Sequence, residues 1–369
     1  MTEPAPLIAR CQAALSFAQE QLRRLVESHP DYFPMYTTGG RWKHSGDTWT
    51  NWCEGFLGGQ LWLLYEHSGD ARWRELAEHY SRLIESRKTD RTVHDLGFLF
   101  WPTWKRWYDL TGDRAINEVA IEAGRTLALR FHEKGGYLAS FLGENSTFID
   151  IMMNVGIIFY AAEESDDERL REVAVRHCLT TRRHLVRGDG STAHEGIFDT
   201  GTGEFLRQST QQGWRSDSAW ARGQAWALYG FATAYSFTDD ARFLDAAQRC
   251  ADYYIERTPE HGVPPNDWDE PEPSLPHESS AAAIAASGLW DLARITKDPE
   301  RGKRYRQYAL RILDTLTTPE FLATGLPDWE GVLRHGIYHQ RKGLGVDEST
   351  MWGDYFFLEA LTKAIRDER

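Results

Sequence analysis

Asp150 stands in the run Phe148-Ile149-Asp150-Ile151-Met152-Met153, where an ionised carboxylate is expensive to bury without a purpose. A chemical role accounts for it better than packing does. Asp95, in His94-Asp95-Leu96-Gly97-Phe98, precedes an apolar helical run and reads either as an N-cap or as a second functional carboxylate. Between the indoles of Trp220 and Trp226, Arg222 offers a guanidinium that can pair bidentately with a substrate acid. His94 reads equally well as a satisfied interior imidazole or a site group, and His194 as a plain loop residue or a site group.

Other chemistries find less support. His335 and His339 have helix-like spacing, but Gly336 and a strand-like setting weaken a metal site, and no HExxH or CxxC motif accompanies them, so no metal is expected. Gly201 and Gly203 lack a following phosphate-loop pattern and read as a turn. No serine lies in a nucleophile elbow.

The elements that must position these residues are helical. Ser or Thr, one residue, then Asp recurs before an apolar helical period: Ser68-Gly69-Asp70, Thr111-Gly112-Asp113, Ser165-Asp166-Asp167, Thr238-Asp239-Asp240 and Thr296-Lys297-Asp298. Each Asp is placed to cap the helix it precedes. The patterning predicts helices over about 5–28, 52–67, 70–87, 95–110, 113–132, 147–164, 167–186, 219–236, 240–257, 278–295, 298–316 and 349–366. Segments such as GFLGGQLWLLYE are apolar nearly all round, whereas the capped partners carry charge on one face, so buried helices alternate with covering ones.

Six such hairpins make an all-α (α/α)6 barrel, closed by pairing the N-terminal helix with the last inner one; an open solenoid is the alternative. Stretches 188–215 and 259–277 read as long loops, and residues 1–369 as a single catalytic domain. All inner helices then start at one end. That end gathers Trp49, Trp52, Glu54, His94, Asp95, Phe148, Asp150, Trp220, Arg222, Trp226, His277, Glu278, Trp352 and Asp354. An apolar mouth ringed by helix N-termini suits an acidic sugar.

With 55 acidic against 42 basic side chains, the net charge of −13 argues against a nucleic-acid partner or a basic membrane patch. The longest apolar stretch, Ile151 to Ala162, is too short for a membrane span. Four cysteines, Cys11, Cys53, Cys178 and Cys250, lack disulfide or metal spacing, and the N-terminus lacks the features of a signal peptide; a cytoplasmic setting is expected. The 15 Trp, 15 Tyr and 17 Phe serve a core, a sugar-stacking surface, or both.

His94-Asp95-Leu96-Gly97-Phe98, Phe148-Ile149-Asp150, Trp220-Ala221-Arg222-Gly223-Gln224-Ala225-Trp226 and Met351-Trp352-Gly353-Asp354-Tyr355 together resemble the bacterial unsaturated glucuronyl hydrolases, glycoside hydrolase family 88. The likeness runs from about Trp52 to the C-terminus. It implies an (α/α)6 barrel that removes a C4=C5-unsaturated uronic acid from lyase-generated oligosaccharides, without metal or organic cofactor. It implies Asp150 as general acid and base and Asp95 as second catalytic carboxylate. Substrate contacts are implied at Trp52, His94, Phe141, His194, Gln212, Ser218, Trp220, Arg222 and Trp226.

The sequence departs from the family pattern where a tryptophan is common near Phe141 and a histidine near Gln211, and the loop 135–147 is short, which bears on the second sugar. On this resemblance Asp150 starts protonated, raised by its apolar helix and by an ionised Asp95. The partner is a small oligosaccharide, the assembly a monomer or homodimer. Competing activities are an unsaturated rhamnogalacturonyl hydrolase, an inverting glycosidase acting at C1, an epimerase using His335 and His339, and a non-catalytic sugar binder.

Overall fold

The five recurring aspartates set the helical rhythm. Asp70, Asp113, Asp167, Asp240 and Asp298 are extended residues whose carboxylates accept from the backbone N–H two residues on, each starting a helix. The computed structural model describes residues 4–44, 51–271 and 276–367, so Trp49 lies outside the described residues.

In chain order the helices are α1 (Pro4–Ser28), α2 (Gly55–Ser68), α3 (Ala71–Leu83), α4 (Leu96–Phe100), α5 (Arg106–Thr111), α6 (Arg114–Ala128), α7 (Ile151–Asn154), α8 (Gly156–Ser165), α9 (Glu168–His184), α10 (Ala221–Thr238), α11 (Ala241–Arg257), α12 (Ser279–Ile295), α13 (Pro299–Leu316) and α14 (Met351–Asp367). A π-helical turn, Trp101–Lys105, joins α4 to α5; Pro102, which has no N–H to give, sits in it.

Inner helices follow one another around a ring: α2 touches α4, α4 touches α7 and α8, these touch α10, then come α12 and α14, and α14 returns to α2. This closure makes an (α/α)6 barrel and rules out the open solenoid. The capped helices α3, α6, α9, α11 and α13 cover it, and α1 completes the outer layer against α13 and α14. Most buried apolar residues, including Trp62, Trp104, Trp226, Trp290 and Trp352, form one continuous core.

Short antiparallel strands decorate the mouth: β1 (Thr37–Thr38), β2 (Arg41–Trp42), β3 (Phe131–His132), β4 (Tyr137–Leu138), β5 (Ser146–Phe148), β6 (Glu195–Phe198), β7 (Phe205–Ser209), β8 (Gly336–His339) and β9 (Leu344–Glu348). Here the structure corrects the sequence reading twice. The helix expected over 147–164 begins only at Ile151, because 146–148 pairs with β6. Part of the long loop 188–215 is the β6–β7 hairpin that supplies that pairing. No helix among the described residues is long and apolar enough to cross a membrane.

Candidate active site

Asp150 stands just beyond β5 and opens α7. The β5–β6 register sets Phe148 opposite Glu195, and the Ile149 N–H donates to the His194 carbonyl at 2.9 Å, so Asp150 and His194 are neighbours. Although Asp150 occupies the N-cap position of α7, its carboxyl caps nothing. His194 Nδ1 accepts from the N–H groups of Gln211 and Gln212, which leaves the ring proton on Nε2, 3.8 Å from Asp150 Oδ2. Burial holds that imidazole neutral, its pKa down at about 3.

Asp95 is brought alongside by close helix contact. A Cβ on Gly97 would stand 2.4 Å from Asn154 Cα, so only glycine lets α4 meet α7 here. Asn154 locks the contact: its Oδ1 accepts from the Phe98 N–H at 2.8 Å and its Nδ2 donates to the Asp150 carbonyl at 3.2 Å. The capping alternative for Asp95 fails, since its carboxyl makes no cap bond. His94 fixes the other side, with Nδ1 accepting from Phe141 N–H at 3.0 Å, its ring stacked on Phe141, and Nε2 3.5 Å from Asp95 Oδ1.

Both acids are displaced upward. Burial raises Asp150 to about 7 against the opposing pull of Arg222. Burial, and then the charge of Asp150, push Asp95 well above the ordinary carboxylate range, and Arg130 and Arg87 do not offset them. This direction runs against an ionised Asp95 and favours its protonated form over that of an exposed carboxyl. Asp150 titrates near neutrality.

Arg222, 2% exposed, lies between the rings of Trp220 and Trp352, 4.5 and 4.9 Å from their centroids. Nη2 donates to Gln212 Oε1 and to the Ile337 and Tyr338 carbonyls, while Nε faces Glu278 Oε2 at 3.5 Å. Nη2 of the expected bidentate fork is thus engaged by the protein.

These groups share one cavity of about 370 Å³. Trp52, Phe98, Phe141, Phe148, Trp226 and Tyr338 wall it. Trp52 packs on Trp352 at 4.7 Å and Phe98 on Trp226 at 5.0 Å, so the indoles serve core and cavity together. A larger cavity, about 620 Å³, lies toward the C-terminal ends of the inner helices, where Asp291 and Glu359 are both paired with Lys363. Its acids are thus neutralised by a lysine, whereas Asp95 and Asp150 in the smaller cavity meet imidazoles held neutral by burial.

Of the residues expected in the site, Trp52, His94, Asp95, Phe141, Asp150, Gln212, Arg222 and Trp226 line the smaller cavity. His194 and Trp220 stand behind it, the imidazole against Asp150 and the indole packed on both His194 and Arg222. Ser218 is displaced altogether, because its hydroxyl donates to Asp267 Oδ2 at 2.6 Å and braces a loop. Among the mouth residues, Asp354 accepts from the Val332 and Leu333 N–H groups, Glu54 pairs with Arg87, and His277 packs on Phe321 away from the cavity.

The profile of Glycosyl Hydrolase Family 88 matches residues 28–289. The chain belongs to this family. It is 35% identical to an unsaturated glucuronyl hydrolase of Bacillus sp. (strain GL1), over 96% of this chain and 97% of that one. It is 32% identical to an unsaturated chondroitin disaccharide hydrolase of Streptococcus pyogenes serotype M1, over 96% and 91%. The crystal structure of the unsaturated glucuronyl hydrolase from Bacillus sp. GL1, described as responsible for glycosaminoglycan degradation, superposes with a TM-score of 0.91 at 34% identity, covering 97% of both chains.

In this family 88 glycoside hydrolase the β8–β9 hairpin adds what the sequence analysis missed: Tyr338 on the wall, with exposed Arg341 and Lys342 at the rim. The available signal was two adjacent cations before Gly343, which takes a left-handed φ of 62°. His339 also lines the cavity, whereas His335 turns away to pair with Asp347.

Proposed function

We propose that this enzyme removes a C4=C5-unsaturated uronic acid from the non-reducing end of lyase-generated di- or oligosaccharides. One observation carries the reading: Asp150, with a pKa of about 7, shares an aromatic-walled cavity with Asp95 and Arg222. The names of the family 88 relatives support the same substrate class, and Arg341 and Lys342 favour a second sugar that is itself anionic. Residues 1–369 act as one catalytic domain, as a monomer or homodimer, and four buried, free cysteines suit a cytoplasmic setting.

In such a substrate O5 conjugates with the C4=C5 bond as an enol ether. Protonated Asp150 gives its hydrogen to C4, leaving an oxocarbenium ion shared by C5 and O5. The carboxylate so formed takes a proton from the water that adds at C5. The resulting hemiketal opens to a C5 ketone, C1 becomes a hemiacetal, and its collapse to the aldehyde releases the second sugar. Asp95 holds a substrate hydroxyl. Trp52, Phe141 and Trp226 offer stacking faces, and Gln212 with Arg222 faces the uronate. Binding that anion offsets Arg222, which raises Asp150 further and loads the acid.

Turnover of an unsaturated chondroitin disaccharide in oxygen-18 water tests this route. Label at C5 of the released uronate is expected. Label at C1 would instead establish ordinary hydrolysis, and an unchanged disaccharide would remove the assignment.

A further inference from the structure

Arg222 needs a partner that holds it still, and that partner is Glu278. Glu278 is fully buried and precedes α12. Its Oε1 accepts from Ser280 N–H at 3.1 Å, from the Ser280 hydroxyl at 2.7 Å and from Ile337 N–H at 3.2 Å. Its Oε2 has no hydrogen bond and faces Arg222 Nε, likewise without one, at 3.5 Å. One carboxylate therefore ties α12, the β8 strand and the guanidinium of α10 together.

Capping alone does not explain this residue. The capping acids of the outer helices α3, α6, α9, α11 and α13 are aspartates, and α2, α4, α7 and α10 begin without any side-chain cap. Glutamate at 278 is one methylene longer. That length leaves a second oxygen to reach Arg222 after the cap is made.

We propose that Glu278 is a positioning residue for the reaction: it fixes the direction of Arg222 and neutralises its charge, so that Asp150 keeps the proton it must donate. The inference rests on the function proposed above. Facing Asp150 are Arg222 from α10, Asp95 beside α4, and His194 ahead of β6; facing Arg222 are Glu278, Asp150 and Tyr338, with His339 nearby on β8. His194 and His339 are held neutral by burial, so Glu278 is the acid that balances Arg222 when Asp150 is protonated. Burial raises Glu278 while Arg222 restrains the rise.

Replacing Glu278 by Gln leaves Arg222 unbalanced, which stabilises ionised Asp150. The alkaline limb of kcat/KM on an unsaturated chondroitin disaccharide is expected to move about one pH unit toward acid, an about tenfold loss of rate above the limb. Carbon-detected titration of the Asp150 carboxyl, assigned by its loss in Asp150→Asn, should move the same way in the full-length protein.

A folded Glu278→Gln enzyme whose limb and carboxyl titration match the wild type overturns the proposal. Should Gln prevent folding, Glu278→Asp keeps the charge but withdraws it from Arg222, and a smaller shift, about threefold in rate, is expected; no shift there is equally fatal. If the carboxyl titration moves but no disaccharide is turned over, the functional reading fails while the coupling of Glu278 to Asp150 stands.

Discussion

Asp150 owes its proton to place rather than to a donor. Its Oδ1 has no hydrogen-bond partner, its cap position is unused, and burial is the first cause of its raised pKa. Loss of the acid is therefore loss of the step: Asp150→Asn should reduce kcat by about three orders of magnitude while disaccharide binding, read by calorimetry, stays measurable. Near-normal turnover would remove Asp150 from the reaction. Because the protonated form works, kcat/KM should fall as pH rises through about 7, with the kcat limb at higher pH because the bound uronate offsets Arg222. Stability has the same origin. A folded-state pKa above the unfolded value means the unfolded chain sheds the proton first, so Asp150 weakens the fold as pH climbs from about 4 to 7. Unfolding midpoints should consequently favour Asp150→Asn over wild type by more at pH 8 than at pH 4.

At the scale of elements, what brings the two acids together is the contact of α4 with α7, and Gly97 is its narrowest point. Gly97→Ala puts a methyl group against Asn154 backbone, which cannot swing aside as a flexible side chain can. Destabilisation of about 1–3 kcal/mol in urea unfolding is expected, together with a fall in kcat larger than that of a surface alanine control, because Asp95 is carried away from Asp150. Wild-type activity in a folded Gly97→Ala protein would show that the spacing is not critical. The sequence made the helices legible because their signals are local: an Asp cap and an apolar period. It misplaced the start of the Asp150 helix because the apolar run from Phe148 continues unbroken into the helix, whereas 146–148 is a strand through pairing with residues some fifty positions later. The strand-like segment at Gly336 was legible, but not that Tyr338, Arg341 and Lys342 of its hairpin reach the cavity. The hairpin's contribution to the cavity arises from the packing of β8 against α12, which no local pattern encodes.

Closure of the ring governs the molecule as a whole. α14 packs on α2, α12, α13 and α1; its Asp354 holds the N–H groups of Val332 and Leu333, and its Glu359 joins Arg106 of α5, Tyr229 of α10 and Ser287 of α12. Periodicity alone left barrel and solenoid both standing, since each is built from the same hairpins; contact between the first and last inner helices decides between them, and that contact spans nearly the whole chain. The two architectures answer differently to truncation. In an open stack each hairpin touches only its neighbours, so loss of the terminal one lowers stability locally and spares the rest. In a closed ring, ending the chain after Ser349 exposes the inner faces of both α2 and α12 and strands Arg106 without its buried acid. Urea unfolding followed by far-ultraviolet circular dichroism should then lose its single sharp transition, and the slope with denaturant should fall, as expected for a chain that no longer buries its core in one step. A truncated protein that still unfolds sharply, with only a lower midpoint, would mean that the hairpins support one another as a line and that the ring is incidental to stability.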